Sequence, residues 1–518
     1  MTFKRAILAL LTILAIARIG FSLNDSFSQP QIQSRLELYQ TNLVLHVAEF
    51  KSNPDDEFDL NSAVSSLVGE DPYSAASKQY QKVRQEIQTT RDNFATQLQQ
   101  FERPEANISD REISPENNAQ KRQLTQQIAE LGQFINELDL KRGILSAVQG
   151  QSQEAIAIWD SEIARINNSE DSYAQTATIL KQIWQDKSPE LTDEARSTIN
   201  SNLDGWFRYE ALAKLDRVNN VTDDLISLQK QEIEIATNSV FKLAFISALP
   251  IFGGLFGTTL LLFLIVQGLL KKEQSIIATN SNTAWETPWN WEITWQVLIV
   301  GFFFVAQIAL PLLIGILGIN PVNSSLRIKA FYVLGTYMAM AIGGISVLYL
   351  SIKSFLPFPQ DWFKLKLTDN WLVWGFGGYL VALPLVLIVS LINQQIWQGQ
   401  GGSNPLLFLA LQAQDRVALI VFFVTSSIAA PIFEEIMFRG FLLPSLTRYV
   451  SVKSAIVISA FIFAVAHLSL SEVLPLATLG IVLGVVYTRS RNLLAPMLLH
   501  SLWNSGTLIS LFVLGSGI

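Results

Sequence analysis

Long apolar runs separated by short polar breaks fill the C-terminal half of the chain, and most have the length of a bilayer-crossing helix. With a rise of about 1.5 Å per residue, a helix needs roughly 20 mostly apolar residues to cross the hydrocarbon core. Residues 241–270, 295–319, 330–352, 371–392, 417–443 and 493–514 meet or approach that length, as does 6–23 near the N-terminus. The runs 455–470 and 473–487 are shorter, and short runs are tilted, partly re-entrant or buried among neighbours. The pattern predicts an all-α fold: a polytopic transmembrane helix bundle of about eight to nine helices.

Between the first run and the second lies a polar stretch, residues 24–239, rich in Gln, Asp, Glu and Ser and with helical rather than strand periodicity. It predicts a separate α-helical domain. Leu124, Ile128, Leu131, Ile135 and Leu138 alternate four and three apart, the seam of a coiled coil or helical hairpin. Tyr80, Val83, Ile87, Phe94, Leu98 and Phe101 suggest the partner helix, with 101–116 as the connection. Residues 143–159, GILSAVQGQSQEAIAIW, have the form of one tetratricopeptide-type helix-turn-helix with Gly150 in the turn. A single copy does not make an array. An ordinary bundle with Trp159, Trp184 and Trp206 as core aromatics is the simpler expectation. The chain therefore divides into 1–23 signal anchor or signal peptide, 24–239 helical domain, 240–400 transmembrane helices and interfacial loops, and 401–518 the region holding the intramembrane polar residues.

Composition agrees with the pattern: 49% of residues are hydrophobic and mean hydropathy is positive. The formal charge of -7 sits mostly in the polar domain, and no basic patch suggests nucleic acid. Zero cysteines exclude disulfides, thiolate metal sites and a cysteine nucleophile. Lys4 and Arg5 before the first run favour a cytoplasmic N-terminus and export of the polar domain. Lys271, Lys272, Lys353, Lys364, Lys366, Arg448, Lys453, Arg489 and Arg491 then fall on the cytoplasmic side, against mainly Arg327, Lys329 and Arg416 opposite. Residues 285–295, with four tryptophans, and 355–367 read as interfacial belts at the headgroups.

Charges inside such runs are costly and therefore candidates for function. Glu434, Glu435 and Arg439 interrupt 417–443; His467 lies in 455–470; His500 and Asn504 lie in 493–514. Counted from Arg448 and Lys453, Glu434 and His467 each sit fourteen residues in, roughly 21 Å deep, and His500 and Asn504 are roughly 14 to 20 Å deep from Arg491. Three segments thus bring polar residues to a similar level. Within a helix, residues four apart share a face. Glu435 is accordingly the expected partner of Arg439, leaving Glu434 about 100° round the helix and facing a cavity. Phe463 with His467, and His500 with Asn504, repeat the same spacing. His46 stands in the polar domain with no partner in view and reads as an ordinary residue.

EExxxR (Glu434, Glu435, Arg439), FxxxH (Phe463, His467) and HxxxN (His500, Asn504), in this order on separate apolar runs, resemble the CPBP family of intramembrane endopeptidases. That family includes type II CAAX prenyl endopeptidases and bacteriocin-processing relatives. The resemblance covers about 406–514. It implies a membrane-associated or lipidated peptide as substrate and a glutamate-type mechanism without bound metal. Glu434 would take the proton of a water, His467 would orient that water, and His500 and Asn504 would donate to the oxyanion. The helical domain lies outside the resemblance and could carry a protein partner.

Two alternatives stay open. A zinc site through Glu434, His467 and His500 is an ordinary ligand set for that metal, although no HExxH helix is present. A non-proteolytic membrane scaffold or peptide-binding immunity protein could use the same polar cavity.

Overall fold

The computed structural model describes residues 2–27, 29–50, 64, 67–102, 115–189, 192–321, 324–411 and 415–515. Most of the expected connection 101–116 lies outside them. The regular elements among the described residues are helices, and the chain divides into two units: Met1–Gln29 with Ser247–Gly517, and Pro30–Ile246.

In the second unit, helices Pro72–Glu102 and Pro115–Val148 pack side by side. Tyr80, Val83, Ile87, Phe94, Ile135 and Leu138 are all buried in the unit, and all but Phe94 belong to its main core cluster. Gly150, at φ +80°, turns the chain into helix Ser152–Ile166. Gly143 lets that helix lie close: a Cβ there would stand 2.2 Å from the Trp159 indole nitrogen. Trp159 and Trp206 are fully buried, and Trp184 packs on Trp159 with ring centroids 5.5 Å apart. His46 does have a partner. Its Nδ1 lies 2.5 Å from a Glu232 carboxylate oxygen, both side chains buried, a pairing across 186 positions that local periodicity does not reveal.

Glu162 is 1% exposed with neither carboxylate oxygen hydrogen-bonded. Burial, reinforced by the nearby Asp139 charge, pushes its carboxyl up to about 9 from 4.5. The folded state then keeps a proton that the unfolded chain releases above about pH 4.5, so stability falls between there and pH 9, by up to about 1.4 kcal/mol per pH unit. Glu162→Gln is expected to flatten this slope and raise the melting temperature of the full-length protein at pH 8. A variant melting at the wild-type temperature at both pH 5 and pH 8 would contradict it.

In the first unit and the helix leading into it, eight helices among the described residues are long and apolar enough to cross a membrane: Phe3–Phe27, Thr222–Gln274, Trp291–Ile316, Leu326–Phe355, Trp371–Trp397, Arg416–Leu446, Leu470–Ser490 and Leu494–Gly515. The protein is a multi-pass membrane protein. Exposed side chains such as Ile13, Phe21, Phe263, Leu313, Ile342 and Ile388 suit hydrocarbon contact. The expected run 455–470 is shorter as a helix, Val452–Val465. His467 lies just past its end, in a turn where Leu468 takes φ +58°.

Three tryptophans of the segments expected at the headgroups turn inward. Trp285, Trp289 and Trp362 are buried in the core with Phe438, Phe441 and Tyr487. Their indoles donate to Asp361 O (3.3 Å), Ser445 Oγ (2.9 Å) and Glu286 O (2.9 Å) respectively, so burial strands no donor. Trp291 stays exposed. Arg489 and Arg491 are also buried; Arg489 donates to Ile277 O at 2.7 Å, and Arg491 donates to Thr283 O and stacks over Trp285. Both side chains thus fasten the 277–289 loop.

Candidate active site

Glu434 and Glu435 end the helical turn Ala430–Glu435, between two π-helical stretches, Thr425–Ala429 and Ile436–Leu442. Such i→i+5 segments are rare and recur at functional sites. Glu435 and Arg439 are fully buried and paired at 2.9 Å. Arg439 also donates to Gly480 O at 3.0 Å and lies over the Phe463 ring at 4.5 Å. Gly480 permits this because a Cβ there would come within 2.9 Å of Ala460 Cβ. The two helices could not close on the guanidinium with a side chain at that position.

His500 approaches from helix Leu494–Gly515. Its Nδ1 is 2.9 Å from the same Glu435 oxygen, and its Nε2 is 3.9 Å from Glu434 Oε2. A carboxylate oxygen accepts, so Nδ1 carries the proton and Nε2 faces Glu434. The other Glu434 oxygen accepts from the Tyr337 hydroxyl at 3.0 Å. Oε2 of Glu434 has no hydrogen-bond partner in the protein.

His467 donates from Nδ1 to Phe463 O at 2.9 Å, since a carbonyl only accepts, leaving Nε2 as its free acceptor. Its ring meets Phe463 edge-on at 4.9 Å, and His500 meets the same ring at 5.7 Å. Asn504 donates to Ser426 O at 2.7 Å, and Ser501 donates to the adjacent Ser427 O. The second Nδ2 hydrogen of Asn504 remains available. The structure thus draws Glu434, Glu435, Arg439 and His500 into one polar cluster, with His467 across the Phe463 ring and Asn504 one turn beyond His500. Among the described residues no group of three His, Asp or Glu lies close enough together to hold a metal ion.

Tyr337 is a site residue that the hydropathy pattern does not mark. Its signal is a hydroxyl in the apolar helix Leu326–Ile352, where a half-buried phenol gains from a partner.

An all-helical membrane protein that gathers two carboxylates, a guanidinium and a histidine inside apolar segments holds costly charges at one place, which marks that place as a functional candidate. Residues 416–506 match the family described as type II CAAX prenyl endopeptidase Rce1-like. The chain is 28% identical over 142 residues, 26% of its length, to the membrane-embedded CAAX protease MroQ of Staphylococcus aureus (strain USA300). It is 26% identical over 210 residues, 40% of its length, to YdiL of Bacillus subtilis (strain 168), named a candidate membrane peptidase. These alignments span 56% of the first relative and 83% of the second. No solved structure matches the chain.

Proposed function

We propose that the chain is an intramembrane endopeptidase that hydrolyses a peptide bond of a membrane-associated or lipidated peptide with water activated by Glu434. The observation that carries this is the Glu434 carboxylate, one oxygen fixed by Tyr337 and the other unpartnered, 3.9 Å from His500 Nε2. A gap of that length is too wide for a direct hydrogen bond and suits a water between the two groups. Glu434 Oε2 takes the water's proton while its oxygen bonds to the peptide carbonyl carbon, the carbonyl π pair moving to oxygen. The free Asn504 hydrogen and, in its doubly protonated form, His500 Nε2 face the resulting oxyanion, each such donor contributing about 3 to 4 kcal/mol. As the C–N bond breaks, Glu434 returns the proton to the leaving amine. His467 Nε2 orients the water. Glu435 and Arg439 act through His500 and the helix and touch no reacting atom.

The substrate class in the matched family's description, a CAAX prenyl tail, is a proposal for this chain, as are a metal-free mechanism and a protein partner on the helical domain. The test compares membrane peptides from cells making wild-type protein or Glu434→Gln. An uncut species should accumulate in the variant. A scaffold would function equally well with the neutral, similarly shaped Gln, so unchanged peptides with intact cellular function reject the peptidase reading. Activity that survives exhaustive chelation separates this mechanism from the zinc alternative.

Tyr337→Phe is expected to lower the cleavage rate roughly ten-fold, the worth of a hydrogen bond to a charged group, with the amount of folded protein unchanged. A wild-type rate would remove Tyr337 from the mechanism.

A further inference from the structure

The first helix, Phe3–Phe27, is fastened along its length to the unit that carries the candidate site. Lys4 and Arg5 pair with Glu292 at 3.2 and 2.8 Å. Thr12 accepts from the Trp295 indole at 2.8 Å. Ala15 is buried with Ile299 and Phe303, and Ile19 packs on the same cluster beside Ile462 and Ala466, the neighbours in sequence of Phe463 and His467. A signal peptide awaiting removal needs none of these contacts.

The end of the helix bears on the His467 loop directly. Ser26 is buried, and its hydroxyl donates to Gly401 O while accepting from the Leu470 amide at 3.0 Å. Gly401 O also accepts from the Ser471 amide at 3.1 Å, and Gly402 N donates to Gln29 O at 3.0 Å. Gly401 and Gly402 take φ +97° and +71°, the left-handed region where glycine is favoured. The chain after His467 has no regular helix until residue 470. It is held instead by this knot, in which Ser26 reaches from the first helix to both the 401 loop and the 470 loop, beside the direct ties from Ser469 Oγ to Gly401 O (3.4 Å), from Ser471 Oγ to Gly402 O and from Asn404 N to Glu472 (2.8 Å).

We infer that the first helix is retained as a permanent part of the membrane unit and that Ser26 is a positioning residue for His467. The second half rests on the peptidase reading; the first does not. Because the chain has no cysteine, introduced thiols report without background. A Cβ at Gly402 would lie 3.4 Å from Ser26 Cβ, next to the range that a disulfide bridges.

The test uses the full chain in its native membrane, with an N-terminal tag and a protease site placed within 51–63. Ser26→Cys with Gly402→Cys should form a disulfide that keeps the tagged fragment attached after cutting. Loss of the tag during biogenesis, or separation of the tagged fragment from the membrane unit when protein without introduced cysteines is cut and purified in mild detergent, overturns retention. For positioning, His467→Cys should react with a water-soluble maleimide several-fold faster when Ser26 is Val than when it is Ser or Thr, while a cysteine at exposed Tyr449 reacts equally in all three. Equal rates at 467 overturn the role of Ser26. With His467 intact, Ser26→Val should lower kcat about ten-fold at unchanged KM, and Ser26→Thr should restore it. If no peptide distinguishes wild type from Glu434→Gln, the peptidase reading fails while the disulfide and labelling arms still decide the structural claims.

Discussion

Glu434→Gln is expected to lower peptide cleavage by about 10² to 10⁴, the usual contribution of a positioned general base. Gln preserves shape, and the Tyr337 hydroxyl can still donate to its amide oxygen. What disappears is the second carboxylate oxygen, replaced by an amide nitrogen that cannot accept water's proton. Folding should be nearly untouched, because the variant carries no new buried charge. The measurement is the initial rate of loss of the peptide found to accumulate in variant membranes, alongside the melting temperature in detergent. A rate within a few-fold of wild type removes Glu434 as the base.

Arg439→Met should have the largest effect on stability, about 3 to 5 kcal/mol, the cost of leaving half of a buried ion pair. Arg439 and Glu435 are each 0% exposed, so no solvent takes over the lost partner. Only the His500 Nδ1 contact would remain for the Glu435 carboxylate. Adding Glu435→Gln in the same chain should recover a good part of the loss, since the residual charge goes with it. Thermal or denaturant unfolding of the single and double variants checks this. A double variant as unstable as Arg439→Met alone would mean that the guanidinium acts mainly through Gly480 O and the Phe463 ring.

Hydropathy made the membrane architecture legible because a bilayer imposes length and polarity on every crossing segment separately. Glu434, Glu435, Arg439, His467, His500 and Asn504 were legible as candidates for a related reason: each is conspicuous in an apolar run. Their partners were not. Tyr337 stands 97 positions from Glu434 and Glu232 stands 186 from His46, and nothing local marks either pairing. Trp285, Trp289 and Trp362 have the composition of a headgroup belt, but composition does not say whether an indole N–H finds a carbonyl or hydroxyl partner, and that decides burial. The π-helical stretches beside Glu434 were equally hidden, because an apolar run reads alike with i→i+4 or i→i+5 bonding.

Phe463 is touched by Arg439, Phe438, His467 and His500 on its one ring. That ring packs EExxxR, FxxxH and the histidine of HxxxN into one unit spread over three segments. A lineage that exchanges the ring for an aliphatic side chain should also show altered residues at 439 and 467, and one that keeps the ring should tolerate little drift at either.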